Sequence, residues 1–283
     1  MAVLILVTAT ISLSANCDSF DLVSAGWSQR LARVGLDYVS QSCAMAVNIA
    51  AQPSVGLRQP LCTAEDDRMP AGYVETYERI APIYDVLDKG YEVLWKRRLR
   101  ALTFEGTSGT ILDAGAGTGC NMPFYPADAR VIAVDASPSM LAYARKRAAK
   151  LGREVDLHVL DLADTGFPDA SVDHIVATFV FCVLPEELML PVLREMARIV
   201  KPCGTIRILD YTLSRNSAAR LWMRAMSPWL RFAFAARYTA DCQTLLPEAR
   251  LDVVESQFVF GDSVKLLVAR PRLTGHDSGY TDG

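Results

Sequence analysis

The chain is 283 residues long, carries a formal net charge of −3 and contains seven cysteines. This length allows one large domain with a well-buried core, and the slightly acidic balance argues against a general nucleic-acid binder, which would be basic. The cysteines form no C-x-x-C pair and have no histidine nearby, so we expect reduced thiols and no metal site.

Residues 1–68 precede any clear domain pattern. They begin with a short apolar run at residues 1–7, for which a secretory signal is one interpretation. No Lys or Arg precedes this run and it is too short to span a bilayer, so we favour an N-terminal extension on a cytoplasmic protein. The functional domain is expected to cover residues 69–271, followed by a polar, disordered tail at residues 272–283.

Aromatic residues mark the start of the expected domain. Tyr77 and Tyr84 lie in residues 73–85, where they can form the core stripe of a helix. A helix that interleaves aromatic and basic residues is predicted next, and this mixture is compatible with contact to an anionic lipid surface. Its members are Tyr91, Trp95, Lys96, Arg97, Arg98 and Arg100.

The run TILDAGAGTG at residues 110–119 is the strongest motif. It begins as a buried strand and turns through Gly115, Gly117 and Gly119, because glycine tolerates positive φ and lets the backbone approach a ligand. About twenty residues later a second apolar strand ends in Asp135, where a nucleotide-binding βαβ unit places the acid that hydrogen-bonds a ribose. A glycine-rich turn without a ligand is the alternative.

Neighbouring residues distinguish between nucleotide ligands. A dinucleotide fingerprint needs glycine or alanine where this chain has Cys120 or Met122. Asp113 stands at the tip of the first strand, and its negative charge would oppose a pyrophosphate but favour ammonium and sulfonium groups. The sequence therefore predicts S-adenosylmethionine as the cofactor.

The following elements predict the rest of an α/β sheet. A helix at residues 138–151 should turn Met140 and Leu141 toward the sheet and its basic residues outward. A third strand at residues 155–160 ends at Asp161, and a fourth at residues 172–181 is nearly all apolar, as a strand buried on both faces should be. We expect a helix at residues 186–200, a turn at 201–204 and strands at 205–209, 251–260 and 263–269.

The residues at the end of the fourth strand indicate which kind of molecule could accept the methyl group of S-adenosylmethionine. Nucleic-acid amino-methyltransferases place an Asn/Asp-Pro-Pro-aromatic tetrad here, whereas this chain has Thr178 followed by Phe179, Val180 and Phe181. We therefore expect no nucleic-acid substrate. An apolar and aromatic lining suits a greasy acceptor, although Phe179 and Phe181 could also simply fill the core.

Residues 214–240 form a basic and aromatic insertion. At about 100° per residue, Arg220, Arg224 and Arg231 fall on one narrow face of a helix. We expect this element to lie on an anionic membrane and Pro228 to break it into two pieces. An insertion that covers the substrate pocket or a dimer interface is the alternative. The acid-free stretch at residues 215–238 contains Arg215, Arg220, Arg224, Arg231 and Arg237.

Four strings together resemble the successive motifs of class I S-adenosylmethionine-dependent methyltransferases: ILDAGAGTG, VIAVDASPSML, LHVLDLADTGFPDASVDHIVATFVF and LREMARIVKPCGTIRILDYT. The resemblance extends over residues 73–271 and implies an α/β fold. Its expected form is a Rossmann-like, doubly wound sheet of about seven strands, mostly parallel with an antiparallel C-terminal strand, and with helices on both faces. The chain departs from the family at Cys203, where a second glycine is usual, and this puts the turn geometry in question.

The resemblance also implies where the parts of the cofactor lie. Asp113 and the glycine backbone would hold the methionyl portion and Asp135 the ribose. Asp161 would bind the adenine amino group, with Leu162 and Met140 packed against the ring, unless Asp161 only caps a turn. The APIYD string at residues 81–85 resembles the N-terminal segment of phospholipid N-methyltransferases and ubiquinone/menaquinone C-methyltransferases, which closes over the cofactor. This places Tyr84 near the methionyl end, where it is also the one candidate for a catalytic role. The expected cofactor-binding residues are Tyr84, Asp113, Gly115, Ala116, Gly117, Thr118, Asp135, Ala136, Met140, Asp161, Leu162 and Thr178.

These features predict an enzyme that transfers a methyl group by in-line displacement, with most of the catalysis coming from positioning. No general base is evident, because His158 and His174 lie in or beside predicted strands and His276 lies in the tail. This favours an amine acceptor, which needs only to lose a proton. We expect phosphatidylethanolamine or a similar lipid at the inner membrane face. The alternatives are a quinone-precursor carbon, a soluble small molecule, a non-catalytic S-adenosylmethionine-binding module and a nicotinamide enzyme.

Overall fold

The computed structural model describes residues 92–234, 236–238 and 241–272, together with Glu75, Tyr77, Glu78, Ala81, Pro82 and Tyr84. The predicted extension at residues 1–68 and residues 273–283 of the predicted tail lie outside the described residues. Tyr91 of the predicted basic helix also lies outside them.

The described residues alternate between helices and strands. One turn of π-helix at Glu92–Lys96 leads into α1 (Arg97–Phe104). Strand β1 (Thr110–Ala114) is followed by a 3₁₀ turn (Met122–Phe124), β2 (Arg130–Asp135), α2 (Pro138–Leu151) and β3 (Asp156–Val159). Next come β4 (Val172–Thr178), α3 (Glu186–Ile199), β5 (Val200–Tyr211) and α4 (Ser217–Phe234). A 3₁₀ turn (Cys242–Leu245) precedes β6 (Leu251–Phe260) and β7 (Val264–Pro271).

The strands form one seven-stranded sheet in the order β3-β2-β1-β4-β5-β7-β6. Strands β1 to β5 are mutually parallel, and β7 runs antiparallel to both β5 and β6. This confirms the predicted fold class. The strand order reverses between β1 and β4, and ligands of open α/β sheets bind at such a switch point, beyond the carboxyl ends of the strands.

The central strands are buried on both faces, as their continuous apolar sequences predict. Ile111 and Leu112 of β1 and Ile175 and Val176 of β4 have no exposed surface. Helix α2 begins at a Ser137 cap, whose hydroxyl accepts a hydrogen bond from the Met140 N–H at 3.1 Å. Burial of both strand faces fixes β1 and β4 and so makes their carboxyl ends a rigid platform for the site.

Two predicted boundaries at the sheet are corrected by the structure. Strand β4 ends at Thr178 rather than at residue 181, because Phe179 has a left-handed φ of 58° that leaves the strand conformation. The turn expected at residues 201–204 falls inside β5 as an irregular stretch between the Val200 and Thr205 pairings with β4. Gly204 is needed there, because an added Cβ would lie 2.4 Å from the Asp173 carbonyl oxygen.

The predicted break at Pro228 is wrong. Helix α4 runs as one element from Ser217 to Phe234 with Pro228 inside it. Proline removes one backbone hydrogen bond, yet Arg, Leu and Ala occur on both sides of it and favour the helical conformation. Among the described residues, no helix combines the length and apolar character needed to cross a membrane.

Candidate functional site

A cleft lies at the carboxyl ends of β1 and β4, where the strand order reverses. It brings together most of the residues predicted from sequence. Those that line it are Tyr84, Gly115, Ala116, Gly117, Thr118, Asp135, Ala136, Met140 and Thr178. Asp113, Asp161 and Leu162 are not among the lining residues.

The glycine loop adopts the backbone conformation that its sequence predicts. Gly115, Gly117 and Gly119 have φ values of 71°, 54° and 84°. An added Cβ on Gly115 would lie 2.6 Å from a methyl group of Val180, whereas one on Gly117 would meet no atom within 4 Å. The first glycine therefore allows close packing, and the second leaves open room for a ligand beside the backbone.

Asp135 is held at the end of β2 by the same loop. One of its carboxylate oxygens accepts a hydrogen bond from the Gly117 N–H at 2.8 Å, and the other accepts from the Ser137 N–H at 2.9 Å. Burial raises the pKa of Asp135, and the two N–H donors oppose that shift. A half-buried carboxylate fixed in this way has lone pairs left to accept hydrogen bonds from the two hydroxyls of a ribose.

Asp113 lies beneath the cleft rather than in its wall. It is fully buried, and its two oxygens accept hydrogen bonds from the Asn121 amide at 2.8 Å and the Tyr125 hydroxyl at 2.5 Å. Burial raises its pKa to about 6, against the effect of those two donors and of Arg100. The direct contact with a ligand ammonium that the sequence suggests stays a prediction, and Asn121 links Asp113 to the residues above it.

Of the three residues expected around adenine, Asp161 and Leu162 have other contacts in the structure and only Met140 lines the cleft. Asp161 accepts a hydrogen bond from the Ala163 N–H at 2.9 Å, as in the turn-capping alternative. Leu162 is 4% exposed and packs in the main core. Met140 does line the cleft, beside Ser137.

Arg100 is a cleft residue whose role the sequence did not indicate. One of its terminal nitrogens donates to Thr178 Oγ1 at 2.7 Å and to Asn121 Oδ1 at 2.8 Å. The rest of the guanidinium contacts Glu92, at 2.8 Å from Nε and 2.6 Å from Nη2. Because Asn121 also binds Asp113, these contacts form one buried polar network from Glu92 to Asp113. Besides the expected cofactor-binding residues, the cleft is lined by Tyr77, Arg100, Cys120, Ser137, Phe179, Val180, Val183 and Leu184, and the sequence predicted an apolar acceptor lining only after Thr178.

The prediction of a basic surface near residues 95–100 is corrected for Lys96 and Arg100, whereas Arg97 and Arg98 are exposed. Arg100 and Lys96 are each 6% exposed, and Trp95 packs in an aromatic cluster with its ring centroid 5.9 Å from Phe179 and 4.7 Å from Phe260. The Lys96 ammonium lies 4.8 Å from the Phe179 ring centroid. Arg100 shares the buried side of α1 with Leu99, Thr103 and Phe104, and this helical spacing is the sequence signal for its inward position.

Comparison with known proteins agrees with the fold and the cleft. Residues 111–204 match the family model described as a methyltransferase domain. A phosphatidylethanolamine N-methyltransferase of Cereibacter sphaeroides is 30% identical over 163 residues, which cover 56% of this chain and 78% of that protein. A demethylmenaquinone methyltransferase of Thermus thermophilus is 31% identical over 184 residues, covering 61% and 82%. A thiol S-methyltransferase of Rattus norvegicus is 29% identical over 161 residues, covering 54% and 62%.

Solved structures share the fold at lower identity. The [4+2]-cyclase SpnF has a TM-score of 0.57 and 17% identity, covering 72% of this chain and 98% of that one. A geranyl diphosphate C-methyltransferase from Streptomyces coelicolor A3(2), solved with S-adenosyl-L-homocysteine, has a TM-score of 0.53 and 15% identity, covering 71% and 99%.

The sheet order, the glycine loop and the Asp135 carboxylate define a Rossmann-like fold with a cleft at the switch point of its strand order. With its methyltransferase-domain match and its relatives, the chain belongs to the S-adenosylmethionine-dependent methyltransferases, and S-adenosylmethionine is its cofactor.

Proposed function

We propose that S-adenosylmethionine binds in this cleft with its ribose on Asp135 and its methionyl portion along the backbone of Gly115 and Gly117. The observation that carries this placement is the Asp135 carboxylate, held by two backbone N–H groups at the edge of the cleft. Met140 would contact the adenine ring, with Asp161 and Leu162 behind it. When bound, S-adenosylmethionine would supply an electrophilic methyl group, which the acceptor nucleophile takes in line while S-adenosylhomocysteine leaves.

Two glycine variants test this placement against a matched control. Gly115 and Gly106 share a φ of 71°, but an added Cβ would contact Val180 only at position 115 and would meet no atom within 4 Å at position 106. We expect Gly115→Ala to weaken S-adenosylhomocysteine binding, measured by calorimetry, by tenfold or more and Gly106→Ala to leave it within twofold. Equal affinities for both variants would contradict the placement.

Arg100 faces the end of the cleft near Thr178, and we assign it to the methionyl carboxylate. The Arg100 guanidinium already donates to the Glu92 carboxylate, and a bound methionyl carboxylate would share this cation at the cleft. Arg100→Lys should weaken S-adenosylhomocysteine about tenfold while leaving 5′-methylthioadenosine, which lacks the amino-acid portion, unchanged. An equal loss for both ligands would mean that Arg100 acts only on the shape of the cleft.

For the acceptor we propose a lipid or membrane-associated molecule, with the amine of phosphatidylethanolamine as the first candidate. The cleft wall beyond Thr178 is apolar, formed by Phe179, Val180, Val183 and Leu184. Phe179 is held there by rings on its far side, with Tyr211 at 5.1 Å and Trp95 at 5.9 Å between centroids. The phosphatidylethanolamine N-methyltransferase among the relatives supports an amine acceptor. The protein groups near the acceptor would act by excluding water and orienting it.

We further propose that helix α4 contacts an anionic membrane surface. Met223 turns inward and is 5% exposed, whereas Leu221 is 71% exposed and Arg224 lies on the same outer side. Residues 215–238 contain no acid. A cation near an anionic leaflet contributes on the order of 1 kcal/mol, and an exposed leucine adds apolar contact. A peripheral position on the inner membrane face would bring the cleft close to a lipid acceptor.

The test of the acceptor is transfer of labelled methyl from S-adenosylmethionine into a total bacterial lipid extract, resolved by chromatography. Label in mono- and dimethylated ethanolamine phospholipids would support the first candidate. Label only in quinones would support ring-carbon methylation, for which the demethylmenaquinone methyltransferase at 31% identity is the observation in favour. Cofactor binding without label in any lipid or small-molecule pool would favour a non-catalytic binding module.

A further inference from the structure

We infer that Glu78 is a positioning residue of the cofactor site, because its carboxylate fastens the residues that carry Tyr77 and Tyr84 to the start of α2. The described residues Glu75, Tyr77, Glu78, Ala81, Pro82 and Tyr84 are named here the tyrosine segment. The inference rests on the proposed placement of the cofactor in the cleft.

Both oxygens of the Glu78 carboxylate are engaged at the N-terminus of α2. One accepts from the Ser137 hydroxyl at 2.6 Å and from the Ser139 N–H at 3.1 Å. The other accepts from the Ser139 hydroxyl. The N–H groups of a first helical turn lack partners within the helix and carry a partial positive charge, so a carboxylate is well matched to this position. The hydrogen bonds of Ser137 and Ser139 lower the pKa of Glu78.

The same helix start serves the cofactor site on its other side. Ser137 donates its N–H to Asp135, and both Ser137 and Met140 line the cleft. Glu78 therefore binds α2 directly beside the acid assigned to the ribose. The contact between Glu78 and Ser137 joins residues that are 59 positions apart in the sequence.

The tyrosine segment closes one wall of the cleft. Tyr77 and Tyr84 line it, and Ala81 between them is 1% exposed. Loss of the Glu78 contacts removes one link between the tyrosine segment and the start of α2, whereas the hydrogen bonds of Asp135 to Gly117 and Ser137 do not involve Glu78. The expected consequence is faster escape of a bound nucleoside, with less effect on the rate at which it enters.

The experiment compares Glu78→Gln with Glu75→Gln in the full-length chain. Glu75 lies on the same segment and is exposed, so its variant makes the same charge change without the contacts to α2. Affinity and dissociation rate are measured with S-adenosylhomocysteine. We expect Glu78→Gln to raise Kd about tenfold, mainly through a faster dissociation rate, and Glu75→Gln to stay within twofold. A positioning role also predicts that the ligand-free unfolding temperature changes little, whereas its rise on adding ligand becomes smaller.

A variant of Ser139 tests whether the effect of Glu78→Gln comes from the contact between these two residues. Ser139→Ala removes one donor to Glu78 at a residue outside the cleft lining. The double variant, Glu78→Gln with Ser139→Ala, should bind S-adenosylhomocysteine no more weakly than Glu78→Gln alone, because both changes break the same contact. Fully additive losses, or equal dissociation rates for the Glu78 and Glu75 variants, would overturn the inference. Failure of the unaltered protein to bind S-adenosylhomocysteine would overturn the placement of the cofactor along with it.

Discussion

Two helical stretches of this protein look alike in sequence and have opposite surroundings. Residues 92–104 and residues 215–237 both mix arginine with tryptophan and other apolar residues. In the first, Arg100 is 6% exposed and points into the molecule. In the second, Arg224 is exposed next to a leucine that is 71% exposed.

The difference lies in the partners that the rest of the chain provides. Arg100 is satisfied by Glu92, Asn121 and Thr178, so the cost of burying its charge is offset by hydrogen bonds. Residues 215–238, which include α4, contain no Asp or Glu that could pair with the arginines of the helix. A basic and aromatic composition therefore does not identify a surface, and the positions of distant polar groups decide which stretch is buried.

The largest expected effect is on stability. Arg100→Ala would leave Glu92, Asn121 and Thr178 without their shared donor and should lower the free energy of unfolding by about 3 kcal/mol. Arg224→Ala should change it by less than about 0.5 kcal/mol, because an exposed residue loses few contacts. Urea denaturation at pH 7, followed by circular dichroism, measures both. Similar losses in the two variants would mean that the stretches do not differ as the structure indicates.

The second prediction concerns Asp113, at the inner end of the same buried network. Its pKa rises from 3.8 to about 6 through burial, so between these pH values the native state binds more protons than the unfolded chain. The free energy of unfolding should therefore fall as pH rises from 4 to 6, by roughly 2 to 3 kcal/mol from this group. Asp113→Asn does not titrate and should show a correspondingly flatter profile.

Denaturation of both proteins at pH 4, 5 and 6 checks this difference. Asp210 is the matched control, because burial also raises its pKa to about 6 while Cys182 and backbone donors hold it elsewhere in the sheet. Its contribution remains in the Asp113 variant, so some decline with pH should persist. Parallel profiles for the two proteins would show that Asp113 does not carry a raised pKa.

What the sequence could predict was local, or rested on elements that repeat in a regular order. The glycine loop and Asp135 lie about twenty residues apart, and parallel strands β1 and β2 bring their carboxyl ends together by construction of the βαβ unit. The sheet followed in the same way from alternating apolar strands and amphipathic helices. The direction of the Asp113 side chain could not be predicted in this way, because an acid at a strand tip can turn toward the ligand or toward the helices that cover the sheet.

The contacts that sequence could not indicate join residues far apart. Arg100 meets Thr178 across 78 positions, and Glu78 meets Ser139 across 61. Neither contact follows from a periodic sequence pattern. In the sequence alone, Arg100 and Glu78 each resemble an ordinary surface charge. Phe179 is similar, since only its left-handed φ of 58° shows that the strand ends there and presents the ring to the cleft.

The smallest expected effect is on membrane binding, and it bears on the exposed side of the comparison. Arg224→Glu should weaken binding to vesicles with anionic lipid by roughly thirtyfold, because it replaces one attraction with one repulsion, each on the order of 1 kcal/mol. Arg97→Glu is the matched control, since Arg97 is also exposed but belongs to the first stretch. Sedimentation with vesicles of graded anionic content measures both variants. An equal drop would mean that the membrane responds to net charge alone, and no binding by the unaltered protein would remove the membrane proposal. A selective drop for Arg224 would instead show that the outer side of α4, with Leu221 beside the arginine, is the surface that carries the contact.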